Sequence, residues 1–431
     1  MRVDIVHPGA GELRYEIRGI VEFANNLQKT GIELTMENIG DPVAKGEEVP
    51  LWIREIVANE VNKSSTFGYS PTKGLDATRD YLAQTRSLDT GNELLSENII
   101  FFNGLGDAIS KVYTWLNPIA RVLGPNPAYP THSSIEGAHG RSEHLTYQLD
   151  PNNNWLPNMD DIRNKVRYNP SIAALLLINP DNPTGVVYPR VVLEEFVAIA
   201  EEFDLFLIAD EIYANLSYAD EPFTSLASVA HNVPVIIMRG LSKEVPWPGS
   251  RCGWLEFYNM HVDKSFEAYA KSIEEAKMTE VCSTTLPQAA LPAILSDERY
   301  EPHLKQRRDK YQKRAKEAVK TLNTHPALNV VQPKGAFYLS VTFTEEFTPK
   351  DSIKAANPQA QKLLDEILKN TPKTDIDKRF CYQLLAATGI CVVPLSTGFN
   401  SYVPGFRMTL LEQDNKKFTE TLKRITNFLN S

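Results

Sequence analysis

The stretch Val235-Ile236-Ile237-Met238-Arg239-Gly240-Leu241-Ser242-Lys243-Glu244-Val245-Pro246-Trp247-Pro248-Gly249-Ser250-Arg251 joins two kinds of sequence. Its first four residues are apolar, mostly β-branched and uncharged, the composition of a short buried strand. A Ser-Lys pair follows, then a turn rich in Pro and Gly, and an arginine eight residues beyond the lysine. A lysine just past a buried strand can sit in a partly desolvated pocket. There the ammonium is disfavoured, and the neutral amine can attack a carbonyl to form a Schiff base.

Upstream, the same pattern repeats. Residues 98–102 read as a strand, and Gly104-Leu105-Gly106-Asp107-Ala108 opens a helix through residue 115. A strand over 121–123 ends in Gly124-Pro125-Asn126-Pro127-Ala128-Tyr129-Pro130. Another, over 173–178, ends in Asn179-Pro180-Asp181-Asn182-Pro183-Thr184-Gly185. A helix over 191–203 precedes a strand over 205–209, closed by Asp210-Glu211-Ile212-Tyr213. Buried strands alternating with helices predict an α/β fold, a mostly parallel sheet sandwiched by helices. Ligands of such sheets gather at the carboxyl ends of the strands, where all these motifs lie.

At 431 residues the chain is too long for one ordinary core. Charged residues make up 23% and hydrophobic ones 42%, the balance of a soluble globular protein. A net charge of −9 argues against nucleic acid or an acidic membrane surface as the main partner. No apolar run approaches membrane-spanning length, and residues 1–8 lack the apolar core of a signal peptide. Four cysteines show neither metal-ligand spacing nor a disulfide framework, so reduced thiols, a cytoplasmic location and no metal are expected. The pattern changes beyond about residue 295. A long charged helix over 300–322 leads to strands over 328–331, 336–341, 390–393 and 406–410, and a helix over 415–429. Residues 344–378, polar and punctuated by proline, read as a surface elaboration.

Together, Asn182-Pro183-Thr184-Gly185, Asp210-Glu211-Ile212-Tyr213, Ser242-Lys243 with Arg251, and a late Arg407 resemble the class I/II aminotransferases, the fold type I enzymes of pyridoxal 5′-phosphate. The spacing, 28 residues from Asn182 to Asp210 and 33 from Asp210 to Lys243, suits that family. The resemblance implies a large cofactor-binding domain over 46–295 and a smaller α/β domain formed by both termini, 1–45 and 296–431. It implies a ping-pong transfer of an α-amino group between an amino acid and a 2-oxo acid through a Schiff base on Lys243.

Roles for the other residues follow from the same likeness. Asp210 is expected beside the ring nitrogen, which must stay protonated for the cofactor to act as an electron sink. Asn182 and Tyr213 are expected at the phenolic oxygen, and Tyr129 against the ring. Leu105 and Gly106 at a helix start, with Ser242 and Arg251, are expected around the phosphate. The Asp107 carboxylate must then point away, towards helix N–H groups. Arg407 matches the arginine that grips the substrate carboxylate, aided by the Gly40 backbone. Tyr69 resembles the tyrosine that reaches the phosphate of the neighbouring subunit, which implies a homodimer. The resemblance also implies a cis Asn182–Pro183 bond.

Tyr15-Glu16-Ile17-Arg18-Gly19, the segment over 155–163 and Gly240-Leu241-Ser242-Lys243 look most like bacterial glutamate–pyruvate (alanine) transaminases. In that group the Tyr15 and Arg18 positions approach the substrate side chain. An aspartate or aromatic aminotransferase, or a C–S lyase, would use almost the same cofactor residues. A regulator built on this domain needs an added DNA-binding helix-turn-helix, and the segment before Tyr15 is too short for one. A dinucleotide-binding oxidoreductase needs a third glycine where Asp107-Ala108-Ile109 stands.

Overall fold

The structure, a computed structural model, describes residues 5–13, 17–350 and 352–430, with the backbone alone at 17 and 18. The first strand, β1 (Thr35–Met36), precedes the helix Leu51–Val61 and the helix Asp76–Thr90. The central sheet is built from β2 (Ile99–Asn103), β3 (Arg121–Asn126), β4 (Leu145–Asp150), β5 (Leu156–Pro157), β6 (Ile172–Ile178), β7 (Phe206–Asp210), β8 (Val235–Gly240) and β9 (Cys252–Tyr258). Their spatial order is β2-β9-β8-β7-β6-β3-β4-β5.

β8, β7, β6, β3 and β4 run parallel. Strand β9 is antiparallel to both β8 and β2. Two reversals restore direction, so β2 also ends on the edge where β3, β6, β7 and β8 end. Side chains alternate across the sheet, and both faces are covered. Leu175, Leu177, Leu207, Ala209, Val235 and Ile237 enter one core, while Ala174, Leu176, Ile178, Ile208, Ile236 and Met238 enter another. Burial on both sides explains why these strands read as continuous apolar runs.

Strand β9 was not foreseen, because it carries a carboxylate in its middle. Glu256 is buried without loss of charge partners: Arg86 lies 3.3 Å away, and Trp254 Nε1 and Tyr258 Oη donate to it at 2.9 and 3.1 Å. A paired charge removes the usual objection to a carboxylate inside a sheet.

A second sheet follows the helix Tyr300–Leu322, with β10 (Leu328–Val330), β11 (Tyr338–Phe343), β12 (Ile390–Cys391), β13 (Val393–Pro394) and β14 (Gly405–Thr409). Four of these form an antiparallel sheet ordered β10-β11-β14-β13. β12 instead pairs in parallel with β1, so the early residues are woven into this unit. The Thr409 N–H donates to the Glu37 carbonyl at 2.9 Å, which brings the chain just before Gly40 alongside β14.

Residues 344–378 are more than a surface elaboration. They hold the helix Pro358–Lys369, capped by the Asn357 side chain accepting from Ala360 N–H at 2.8 Å, with Ala360 and Leu364 buried. Pro358 stands at the first helical position, where a missing N–H costs nothing, so this proline starts a helix rather than breaking one. Among the described residues, no helix is long and apolar enough to cross a membrane.

Candidate active site

The carboxyl edge of the central sheet encloses a cavity of about 200 Å³. Leu105, Gly106, Tyr129, Asn182, Asp210, Tyr213, Ser242, Lys243 and Arg251 all line it. Residues spread over nearly 150 positions meet there because their strands end on one edge. Beyond β8 the chain makes a single short helix, Leu241–Glu244, which carries Lys243. Its Nζ donates to the Gly40 carbonyl at 2.8 Å and stands 6.0 Å from the centre of the Tyr213 ring.

One wall is shaped for an anion. The helix Leu105–Thr114 starts without a side-chain cap, so its first N–H groups face the cavity. Gly104 precedes it with φ +84°, and a Cβ there would stand 2.4 Å from Arg251 Nη2. The guanidinium is held by the carbonyls of Asn103 (3.2 Å) and Pro248 (3.4 Å). A Cβ on Gly106 would meet nothing within 4 Å, which leaves room beside the helix start. Asp107 turns back as expected, but to a different donor. Its Oδ2 accepts from the Asn103 N–H of β2 at 3.0 Å and lies 3.5 Å from buried Lys277 Nζ.

Asp210, the last residue of β7, also lines the cavity. Its Oδ1 accepts from the Ile212 N–H at 3.2 Å, and its Oδ2 lies 3.2 Å from His132 Nε2. The other ring nitrogen of His132 faces the Tyr113 hydroxyl at 3.4 Å. His132 escaped the sequence reading. The available signal was its place three residues after Tyr129, on the first turn of a helix opening at a strand end.

Asn182 and Tyr213 both line the cavity, and each has a partner from the second sheet. Arg407 Nη1 donates to Asn182 Oδ1 at 3.4 Å, and its Nη2 donates to the Asn38 carbonyl. The guanidinium lies over the rings of Tyr338 (4.7 Å) and Phe399 (5.1 Å). The Tyr338 and Tyr213 hydroxyls are 3.0 Å apart. Burial first, then Tyr338, push the Tyr213 phenol well above its ordinary pKa, so it stays protonated and able to donate. Tyr338, in β11, is a second residue that the sequence reading missed. A Cβ on Gly40 would lie 2.4 Å from the Tyr338 hydroxyl, so any side chain there would force that ring to shift.

The expected cis bond at Asn182–Pro183 is not found. The cis peptides are Asn126–Pro127 and Asn179–Pro180. The turn carrying Asn182 is closed by Asp181, whose Oδ2 accepts from the Thr184 N–H at 2.9 Å and its hydroxyl at 2.5 Å, and by Gly185 at φ +72°. With the chain already turned at Pro180, a trans bond at Pro183 suffices to aim Asn182.

Tyr69 is not brought into this cavity. It is 87% exposed, on a loop docked by Thr285 Oγ1 donating to the Gly68 carbonyl at 2.7 Å. Tyr15 and the Arg18 side chain lie outside the described residues.

An uncapped helix start beside an arginine suits a phosphate. A buried carboxylate backed by histidine suits a protonated ring nitrogen, and an aromatic wall with a nearby lysine suits a planar carbonyl-bearing ring. The residues present therefore fit a phosphorylated pyridine aldehyde, and the class is that of the enzymes that use one. Residues 33–425 match the family model of class I and II aminotransferases, and the chain belongs to that family. It is 48% identical over 419 residues to an uncharacterized aminotransferase of Methanocaldococcus jannaschii, covering 97% of this chain and 96% of that protein. With the glutamate-pyruvate aminotransferase AlaA of Escherichia coli it shares 29% over 329 residues, 75% of this chain and 79% of the relative. An alanine aminotransferase from Pyrococcus furiosus superposes with a TM-score of 0.85 at 27% identity, covering 98% of each chain. The fold is fold type I, and the family's enzymes depend on pyridoxal 5′-phosphate.

Proposed function

We propose that this aminotransferase exchanges an amino group between alanine and 2-oxoglutarate, and between glutamate and pyruvate. The observation that carries the reading is the pairing of a carboxylate grip with an amine. Arg407, in β14, donates at 3.4 Å to Asn182, which lines the cavity, and Lys243, which also lines it, donates at 2.8 Å to the Gly40 carbonyl. The names of the relatives in Escherichia coli and Pyrococcus furiosus support the choice of alanine and glutamate.

Bound pyridoxal phosphate supplies the electron sink that makes the substrate's α-proton removable. Leu105 and Gly106 N–H groups, Ser242 and Arg251 hold its phosphate. Asp210, steadied by His132, keeps the ring nitrogen protonated. Tyr129 covers the ring, and Asn182 and Tyr213 donate to the phenolic oxygen. Lys243 would hold the cofactor through its amine, and that amine, free once substrate is bound, would take the proton from the substrate's α-carbon. Arg407 orients the α-carboxylate with the Gly40 backbone, and Tyr15 and Arg18 meet the side chain.

Tyr69, exposed beside a 77% exposed Phe67, completes the phosphate site of a second subunit in a homodimer. We assign 46–295 to the cofactor domain and 1–45 with 296–431 to the smaller one. The four unpaired cysteines, three of them buried, support a cytoplasmic location.

A donor–acceptor screen on the purified enzyme tests this, each half-reaction followed by cofactor absorbance. Alanine and glutamate should be the best donors. Preference for aspartate or an aromatic amino acid would overturn the substrate assignment. Ammonia and pyruvate released without an acceptor would make the enzyme a lyase.

A further inference from the structure

Lys243 is held at both ends by one stretch of chain. Its Nζ donates to the Gly40 carbonyl. Its own backbone carbonyl accepts from Arg307 Nη1 at 2.6 Å, and the Glu244 carbonyl accepts from the same nitrogen at 2.9 Å. Arg307 is buried and comes from the helix Tyr300–Leu322. Its Nε contacts Glu47 Oε1 at 2.5 Å, seven residues beyond Gly40. Tyr311, one turn further along the helix, closes the triangle. Its hydroxyl donates to Glu47 Oε2 at 2.9 Å and accepts from Arg307 Nη2 at 3.1 Å.

A helix of four residues has no stability of its own, and its last carbonyls find no further turn to bond them. A guanidinium can meet carbonyls with one nitrogen and a carboxylate with another, which an ammonium on a flexible stem cannot do in one fixed geometry. Capping alone would account for the two carbonyl bonds. It does not account for Glu47, which returns the contact to the segment that also meets Nζ. Burial works against the charge on Glu47, yet Arg307 and the Tyr311 hydroxyl hold it below the ordinary carboxylate range.

We propose that Glu47 and Arg307 are a positioning pair that ties Lys243 to segment 40–47. The segment that meets the substrate carboxylate then also sets where the amine stands over the α-carbon. The inference rests on Lys243 being the working amine.

The test uses Arg307→Lys and Glu47→Gln in the full-length enzyme, with Lys243→Ala and the exposed Lys305→Ala alongside. A misplacement of about 1 Å costs on the order of 10²-fold. Arg307→Lys should therefore lower kcat by roughly 10–100-fold while KM stays within about threefold, with a larger α-deuterium isotope effect. In the cofactor-free chain, acetic anhydride should label Lys243 several-fold faster, because the loosened amine leaves Gly40. Glu47→Gln should move both readouts the same way by less, and it answers the question if Arg307→Lys does not fold. Lys305→Ala should change nothing. Unchanged labelling and isotope effect, with kcat falling only as the folded fraction falls, would reduce the pair to a helix cap and overturn the proposal. Turnover surviving in Lys243→Ala would overturn the reading of the lysine itself. An inactive Lys243→Ala beside normal Arg307 and Glu47 variants would overturn the pairing alone.

Discussion

His132 Nε2 lies 3.2 Å from Asp210 Oδ2, and both side chains are buried. The carboxylate proposed to face a ring nitrogen thus has a partner on the first turn of another element. A hydrogen bond to a charged group contributes about 1.5–3 kcal/mol. His132→Leu should weaken cofactor binding by that amount, read as a dissociation constant by absorbance titration. Wild-type affinity in that variant would show that Asp210 is held well enough by the Ile212 N–H.

Gly104 separates strand β2 from the helix Leu105–Thr114 with φ +84° and ψ 163°, a backbone state almost confined to glycine. Any side chain there costs about 1–3 kcal/mol of backbone strain and also displaces Arg251. Gly104→Ala should fold with reduced stability and bind pyridoxal phosphate poorly. Pyridoxal without its phosphate should bind as it does to the parent. Equal losses for both ligands would mean that the damage is not at the phosphate.

Arg407 is buried among Asn182, Tyr338 and Phe399 and should serve every substrate alike. Removing one partner from a buried charged contact costs about 3–5 kcal/mol. Arg407→Ala should therefore depress kcat/KM for alanine, glutamate and both oxo acids by a similar large factor. Arg18→Ala should weaken only glutamate and 2-oxoglutarate, by about 1–3 kcal/mol. Parallel losses for alanine and glutamate in the Arg18 variant would remove that residue from the specificity pocket.

Asp181 is pushed up from 3.8 to about 7 by burial, against the pull of two hydrogen bonds from Thr184. Between those values the folded chain holds a proton that the unfolded chain has lost. The raised pKa therefore contributes stability at acid pH that fades as pH rises towards 7. Asp181→Asn keeps an acceptor for Thr184 without the titration. At pH 5 to 7.5 it should lose less stability with rising pH than the parent does, and be the more stable at neutral pH by on the order of 1–4 kcal/mol. Urea unfolding at several pH values measures this, and parallel curves would refute it.

The residues legible in the sequence were those that terminate buried strands, since apolar runs ending in Asn182, Asp210 and Lys243 mark one edge of a parallel sheet. His132 and Tyr338 were not legible, for different reasons. His132 acts through Asp210, across 78 positions that no local pattern connects. Tyr338 belongs to an antiparallel sheet whose register, Ser340 opposite Arg407, decides which side chains reach the cavity. A one-residue slip there would turn Arg407 away. Strand β9 was hidden because Glu256 is charged, and only its partners Arg86, Trp254 and Tyr258 make it a core residue. The cis bond lies at Asn179–Pro180, three residues before the expected Asn182–Pro183, because the turn offers two Asn-Pro pairs and sequence alone does not say which one is cis.

Strand β9 also bears on how the enzyme comes to life. Its pairing with β2 sets Asn103 opposite Cys252, and Arg251, the next residue back, then reaches the Asn103 carbonyl just before the helix Leu105–Thr114. The paired residues Asn103 and Cys252 lie 149 positions apart, so the pairing must close a long loop before it forms. Before β2 and β9 meet there is no cup for a phosphate, however well the intervening strands have formed. The cofactor can therefore select only chains whose central sheet is complete, and by mass action it holds them there.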